Sequence, residues 1–253
     1  FRYADLVKLN VLEKKTRPVD KVLELHKFFG VTSLKNIFKL RRYQPAFRLG
    51  KVKEKNVSPE AITSWLRIGE IHAQKQFLPP FDKNKLKRSI EDIRGLSGLN
   101  PEGFQDGLHK KLADAGVSFI ICPHLPDTYV HGATFWLGKD KAVVMMTIRG
   151  KWADIFWFSL FHELGHILLH DRNSVFLETD NSKRALNKKE KEADQYASDT
   201  LIPPTAYVRF IEKGNFYKDN IAQFANEIKI PPGIVVGRLQ HEGHIKNEWH
   251  NDL

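Results

Sequence analysis

The sequence predicts an α+β protein: a helical N-terminal region over residues 1–115, then a small sheet containing an antiparallel hairpin and further helices over residues 116–253. Three observations predict it. Helix-start signals recur through the first 115 residues, three short β-rich runs follow Gly116, and an apolar helix bearing histidines comes directly after them.

Ser58-Pro59-Glu60 reads as a helix start, a serine N-cap with proline at the first helical position, leading into Ile62, Trp65, Leu66, Ile68 and Gly69. Asp82 opens a second helix through Leu86, Ile90 and Ile93. Asn100-Pro101-Glu102 opens a third through Phe104, Leu108 and Leu112, closed by Gly116. Val117 to Cys122, Gly132 to Leu137 and Ala142 to Ile148 are β-rich, the last two joined by the turn residues Gly138-Lys139-Asp140-Lys141. From about Asp171 to Leu186 the chain is polar and reads as a loop. Helices then resume, broken at Pro203-Pro204, Gly214-Asn215 and Pro231-Pro232-Gly233. Ile221, Ala222, Phe224, Ala225 and Ile228, then Ile234, Val235, Val236 and Leu239, have helix-turn-helix spacing. Ile234-Val235-Val236 puts no polar side chain early in the second helix, so this segment reads as packing rather than as a DNA reader.

With 253 residues and 42% hydrophobic content, the chain can bury one large core or two modest ones. Cys122 is the only cysteine, which excludes an intrachain disulfide. No apolar run of about 18 residues and no signal-peptide pattern is present, so a cytoplasmic protein with no membrane span is expected. Phe1 stands where Met would open a full chain, which predicts a piece of something longer. The net charge of +10 permits attraction to nucleic acid or acidic partners. Its clusters, Lys35, Lys39, Arg41, Arg42, Arg48, Lys51, Lys53 and Lys55, then Lys83 to Arg88, read equally well as solvated helix faces.

His162-Glu163-Leu164-Gly165-His166 carries the chemistry. At 3.6 residues per turn the two histidines share a helix face one turn apart, where both ring nitrogens can bind one metal ion. Glu163 is placed to reach a metal-bound water as general base. The flanks Ile155, Phe156, Trp157, Phe158, Leu160, Phe161, Ile167, Leu168 and Leu169 are apolar, so these polar groups are expected to be buried.

A catalytic zinc takes a third protein ligand and leaves a position open for water. His170 lies one further turn along, but HExxHxxxH lacks the longer glycine-containing spacing of metzincins, and a histidine favoured by the helix C-terminal dipole accounts for it. Glu190 and Glu192 lie on the helix that begins near Asn187. Ala193, Tyr196, Ala197, Thr200 and Leu201 define its inward face; Glu190 falls within roughly 60° of the centre and Glu192 about 100° away. Glu190 is therefore the expected ligand, although Asn187-Lys188-Lys189-Glu190 also matches a capping box. Asp194, one turn after Glu190, can accept a hydrogen bond from a ligand histidine and fix its tautomer.

HELGH at 162–166, followed by Glu190-Lys191-Glu192-Ala193-Asp194-Gln195-Tyr196-Ala197 and Leu201-Ile202-Pro203, resembles the ImmA/IrrE family of gluzincin-like zinc metallopeptidases. Gly132-Ala133, Gly233 to Gln240, and Trp65-Leu66-Arg67 with Gly69-Glu70 resemble the version fused to Xre-type helix-turn-helix antitoxins of the long HigA kind. The resemblance implies a gluzincin-like domain in which His162, His166 and Glu190 bind Zn2+ and Glu163 is the base. It implies a narrow protein substrate, such as a repressor or toxin-antitoxin partner, and DNA contact through an Xre domain preceding Phe1. The rival reading is a regulatory antitoxin that keeps the metallopeptidase fold as a sensing or structural module. Gluzincin-like sites stabilise the oxyanion with a Tyr, His or Arg, which makes Tyr129, His131, Arg149 and Tyr207 the candidates. Gly132 to Leu137 could pair with an extended substrate by strand addition.

Overall fold

The computed structural model describes residues 1–40, 43, 57–147, 153–172, 176–179 and 188–253. Its elements are α1 (Tyr3–Lys8), α2 (Pro18–Phe29), α3 (Pro59–Lys75), α4 (Lys83–Gly95), α5 (Pro101–Asp114), β1 (Val117–Ile121), β2 (Val130–Leu137), β3 (Lys141–Met146), α6 (Ala153–Leu169), β4 (Phe176–Thr179), α7 (Lys188–Leu201), α8 (Pro204–Glu212), α9 (Lys218–Glu227) and α10 (Pro232–His241). The fold is α+β, as the sequence predicts. Arg149, Asn187, Ile148 and the basic residues between Arg41 and Lys55 lie outside the described residues. Among the described residues no helix is long and apolar enough to cross a membrane.

Internal contacts divide the chain into two compact units. The first comprises Phe1–Phe77, Ser118–Arg149 and Arg172–Asp180; the second comprises Leu78–Val117, Gly150–Asp171 and Asn181–Leu253.

In the first unit, Ser58 caps α3 by accepting from the Ala61 amide at 3.2 Å. At the other end, Lys141 Nζ donates to the carbonyls of Ala73 and Gln76 at 3.1 and 2.7 Å, satisfying groups that a helix C-terminus leaves orphaned. The sheet runs β1-β3-β2-β4. β2 and β3 form the antiparallel hairpin, with Leu137 opposite Lys141. Ile62, Trp65, Leu66 and Ile68 of α3 bury against Ile120, Ala133, Phe135, Val143 and Met145 of the sheet, each contributing about 1.5–3 kcal/mol by leaving water. The approach is close at Gly69, where a Cβ would stand 1.9 Å from Met145 Sδ.

β4 corrects two expectations. The stretch read as a polar loop contains this strand, which pairs antiparallel with β2 from Val130 to Thr134. Four residues set among polar neighbours are too short a run for periodicity to register. Since β2 is flanked by β3 and β4 there, it offers no edge to an extended substrate over that stretch, and strand addition at Gly132 to Thr134 is ruled out.

In the second unit, Asp82 caps α4 through the amides of Asn84 and Lys85, and Asn100 caps α5 through that of Gly103. Trp157 of α6 packs edge-on against Phe104 of α5 at 5.1 Å. Two arginines close the C-terminal end of α7. Buried Arg94 donates to the carbonyls of Leu201 and Ile228 at 3.0 and 2.6 Å, and Arg238 donates to those of Ser198 and Ile202 at 3.1 and 3.3 Å. Cations there also oppose the negative end of the helix dipole. Ile234, Val235, Val236 and Leu239 of α10 are buried, as are Ile221, Phe224 and Ala225 of α9, so the helix-turn-helix spacing serves the core.

Candidate metal centre

Two helices of the second unit supply the centre. The middle of α6 carries His162, Glu163 and His166, none more than 2% exposed, because the turns on either side bury Trp157, Leu160, Phe161, Leu164, Ile167 and Leu168. α7 turns Ala193, Ala197 and Leu201 inward. The two helices meet closely at Gly165, where a Cβ would stand 3.1 Å from Tyr196 Cδ1 and 3.3 Å from Ala193 Cα. The absent side chain lets the α7 backbone approach and carries Glu190 with it, a role for the glycine of HELGH that spacing alone did not disclose.

One nitrogen of His162, one of His166 and one carboxylate oxygen of Glu190 lie within 4.8 Å of one another. The two Nε2 atoms are 2.9 Å apart, and Glu190 places Oε2 3.4 Å from His162 Nε2 and Oε1 3.7 Å from His166 Nε2. His162 Nδ1 sits 2.8 Å from Asp194 Oδ1. A carboxylate only accepts, so Nδ1 donates and Nε2 keeps its lone pair toward His166 and Glu190. Burial pushes the His166 imidazolium down to about 4, with His162 adding to the effect and Glu190 opposing it, so the ring is neutral at pH 7. Buried imidazole lone pairs and a carboxylate converging on one point form a donor set that suits a divalent cation with three protein ligands. Glu163, next to His162 in the chain, is fully buried.

His170 belongs to the wall of this centre, which the dipole reading of its position did not foresee. Its side chain is 3% exposed, with Nδ1 2.9 Å from His166 Nδ1 and Nε2 3.1 Å from Glu192 Oε2. Glu192 is thus off the ligand-bearing face, as periodicity predicts, and touches the centre from outside. The only sequence signal was the further four-residue step from His166 to His170.

Of the remaining candidates, Tyr207 belongs to the second unit. Tyr207 donates its hydroxyl to Glu242 Oε2 at 2.7 Å, and its ring lies 3.8 Å beneath the Arg238 guanidinium. Burial raises its phenol, and Glu242 adds to the effect. These contacts pin α8 to the end of α10 and account for Tyr207 as a packing residue. Tyr129 and His131 belong to the first unit, where Tyr129 adopts φ 50 and the His131 carbonyl accepts from the Thr147 amide at 2.8 Å. Arg149 lies outside the described residues.

Residues 154–240 match the model of the peptidase M78 family, described as an IrrE N-terminal-like domain. The match spans about a third of the chain, from the start of α6 into α10, and contains every residue of the centre. It supports the resemblance drawn from HELGH and the Glu190 segment. No curated protein matches the chain.

Proposed function

We propose that this chain is a zinc-dependent endopeptidase acting on a specific regulatory protein, a repressor or a toxin-antitoxin component. The observation that carries the reading is the convergence of His162, His166 and Glu190 beside buried Glu163, within a segment that matches a peptidase family. Zinc held by those three side chains would supply a Lewis acid and a water of lowered pKa. His162, His166 and Glu190 would hold it, with Asp194 fixing the tautomer of the His162 ring. Glu163 takes the proton of the attacking water on its carboxylate and hands it to the leaving amine. A narrow substrate follows from the family resemblance alone.

Co-expression with candidate regulatory partners, followed by mass spectrometry for metal-dependent fragments, tests the reading. Glu163→Gln should keep the metal and the fold while cleavage falls by about 10²–10⁴-fold, the usual loss when a general base is removed. Equal disappearance of the partner with wild type and variant would sink the protease assignment.

A further inference from the structure

We propose that the solvent face of α2 is a self-association surface, on which a second copy of this chain packs antiparallel about a two-fold axis close to Leu23. The surface belongs to the first unit and uses no residue of the metal centre.

α2 is apolar on two faces. Leu25, Phe28 and Phe29 enter the core, while Val19, Val22 and Leu23 stand 68%, 44% and 51% exposed. Three of the ten large hydrophobic side chains exposed among the described residues thus share one face of one helix, at the i, i+3, i+4 spacing of a packing stripe. Valine is a poorer helix former than the straight-chain polar residues, so two valines on the outer face weaken α2 unless something packs on them. The charges choose what packs there. At about 100° per residue, Asp20 and Lys27 lie on one flank of the stripe, within about 20° of each other and two turns, or about 10 Å, apart along the axis. Each also has an exposed neighbour on or beside its own helix, Arg17 at 2.8 Å from Asp20 and Glu24 at 3.3 Å from Lys27, pairs of a kind that exchange partners at little cost. A two-fold axis across two antiparallel helices keeps this flank of both on the same side and reverses its order. Asp20 then faces the partner's Lys27, and Lys27 the partner's Asp20, while Leu23 lies beside the axis and Val19 and Val22 close on the partner's stripe. A parallel pair would put the two flanks on opposite sides of the contact and match neither charge. The stripe is therefore complementary to itself, as an isologous contact requires and an interface for a different protein does not. A single contact along 12 residues, about 18 Å, is far smaller than the roughly 1,200–2,000 Å² of a stable interface, so the dimer is transient, with a dissociation constant on the order of 100 µM.

Sedimentation of the wild-type chain from about 10 µM to about 1 mM, a range that brackets this constant, should show the mass rise from monomer toward dimer. A monomer throughout overturns the proposal. Leu23→Glu brings two carboxylates together near the axis and should abolish association over that range; the position is half-exposed, and a thermal melt checks the fold. Unchanged association in the folded variant would place the contact on another face and overturns the proposal as well. Charge exchange tests the pairing itself. Asp20→Lys and Lys27→Asp each set like charges opposite one another and should each weaken the dimer by about tenfold. Their equimolar mixture, and the double variant Asp20→Lys/Lys27→Asp, restore opposite charges and should return to within about threefold of wild type. Single variants that associate as tightly as wild type, or a mixture and double variant that fail to recover, overturn the antiparallel contact. Should Leu23→Glu fail to fold, the charge-exchange set decides alone.

Discussion

His166 is buried as a neutral ring, and that has a measurable signature in the metal-free protein. Its folded pKa of about 4 lies below the ordinary 6.5, so between those values the unfolded chain takes up a proton that the folded chain does not. The contribution to stability is complete above pH 6.5, falls as the pH drops toward 4, and levels below it, with an upper bound of about 3 kcal/mol. Denaturant titrations at pH 7 and pH 4, with chelator present, should show a loss smaller by about that amount in His166→Gln; an identical loss would refute burial as the cause. At the same scale, Glu190→Gln should lose more zinc affinity than Glu192→Gln, because the first is the proposed ligand and the second an outer partner whose removal is worth roughly 10–100-fold at most. The reverse order would reassign the third ligand. His162, His166 and Glu163 were legible because a turn of helix turns spacing into geometry. His170 was not, because its meaning depends on Glu192, which reaches it only after α7 has docked.

That docking turns on Gly165, and two opposing magnitudes decide what a side chain there would do. Gly→Ala inside a helix gains about 1 kcal/mol in propensity, whereas overpacking a tight contact costs about 1–3 kcal/mol. The Cβ of Gly165→Ala would press on the Ala193 backbone as well as on the Tyr196 ring, so the contact cost should win. Thermal melts should fall, and zinc affinity should drop with them because Glu190 rides on α7; a stabilised variant with unchanged affinity would show that the helices have room to spare. Tyr207→Phe tests a neighbouring element. It removes the hydrogen bond to Glu242 that ties α8 to α10, and should lower stability by about 1–2 kcal/mol while leaving cleavage within a few-fold. A collapse of turnover in a stable Tyr207→Phe protein would restore it as an oxyanion group. The capped helices were readable because Ser58, Asp82 and Asn100 satisfy orphan amides locally. β4 was not, because Phe176 and Leu177 acquire strand character only by pairing with β2.

Over the whole molecule, the +10 charge and the buried face of α10 lead to one expectation about DNA. This chain should bind duplexes weakly, without sequence preference, and lose them steeply as salt rises, since phosphate contacts by lysines and arginines carry no sequence information. Tight, sequence-selective binding at physiological salt would move Ile221 to Gln240 from packing to recognition. The α+β class was legible from start signals and β-rich runs; the grouping of residues into units was not, because it arises from contacts between stretches far apart in the chain. That grouping bears on synthesis. Ile62, Trp65 and Leu66 of α3 leave the ribosome long before β3, and the last stretch of their unit, Arg172–Asp180, follows Phe77 by about a hundred residues. At roughly 5–20 residues per second, that apolar face stays without its full complement for something like 5–20 s. A nascent chain stalled between Phe77 and Ser118 should therefore be a strong client for chaperones that hold exposed hydrophobic segments, and one released after Asp180 a much weaker one.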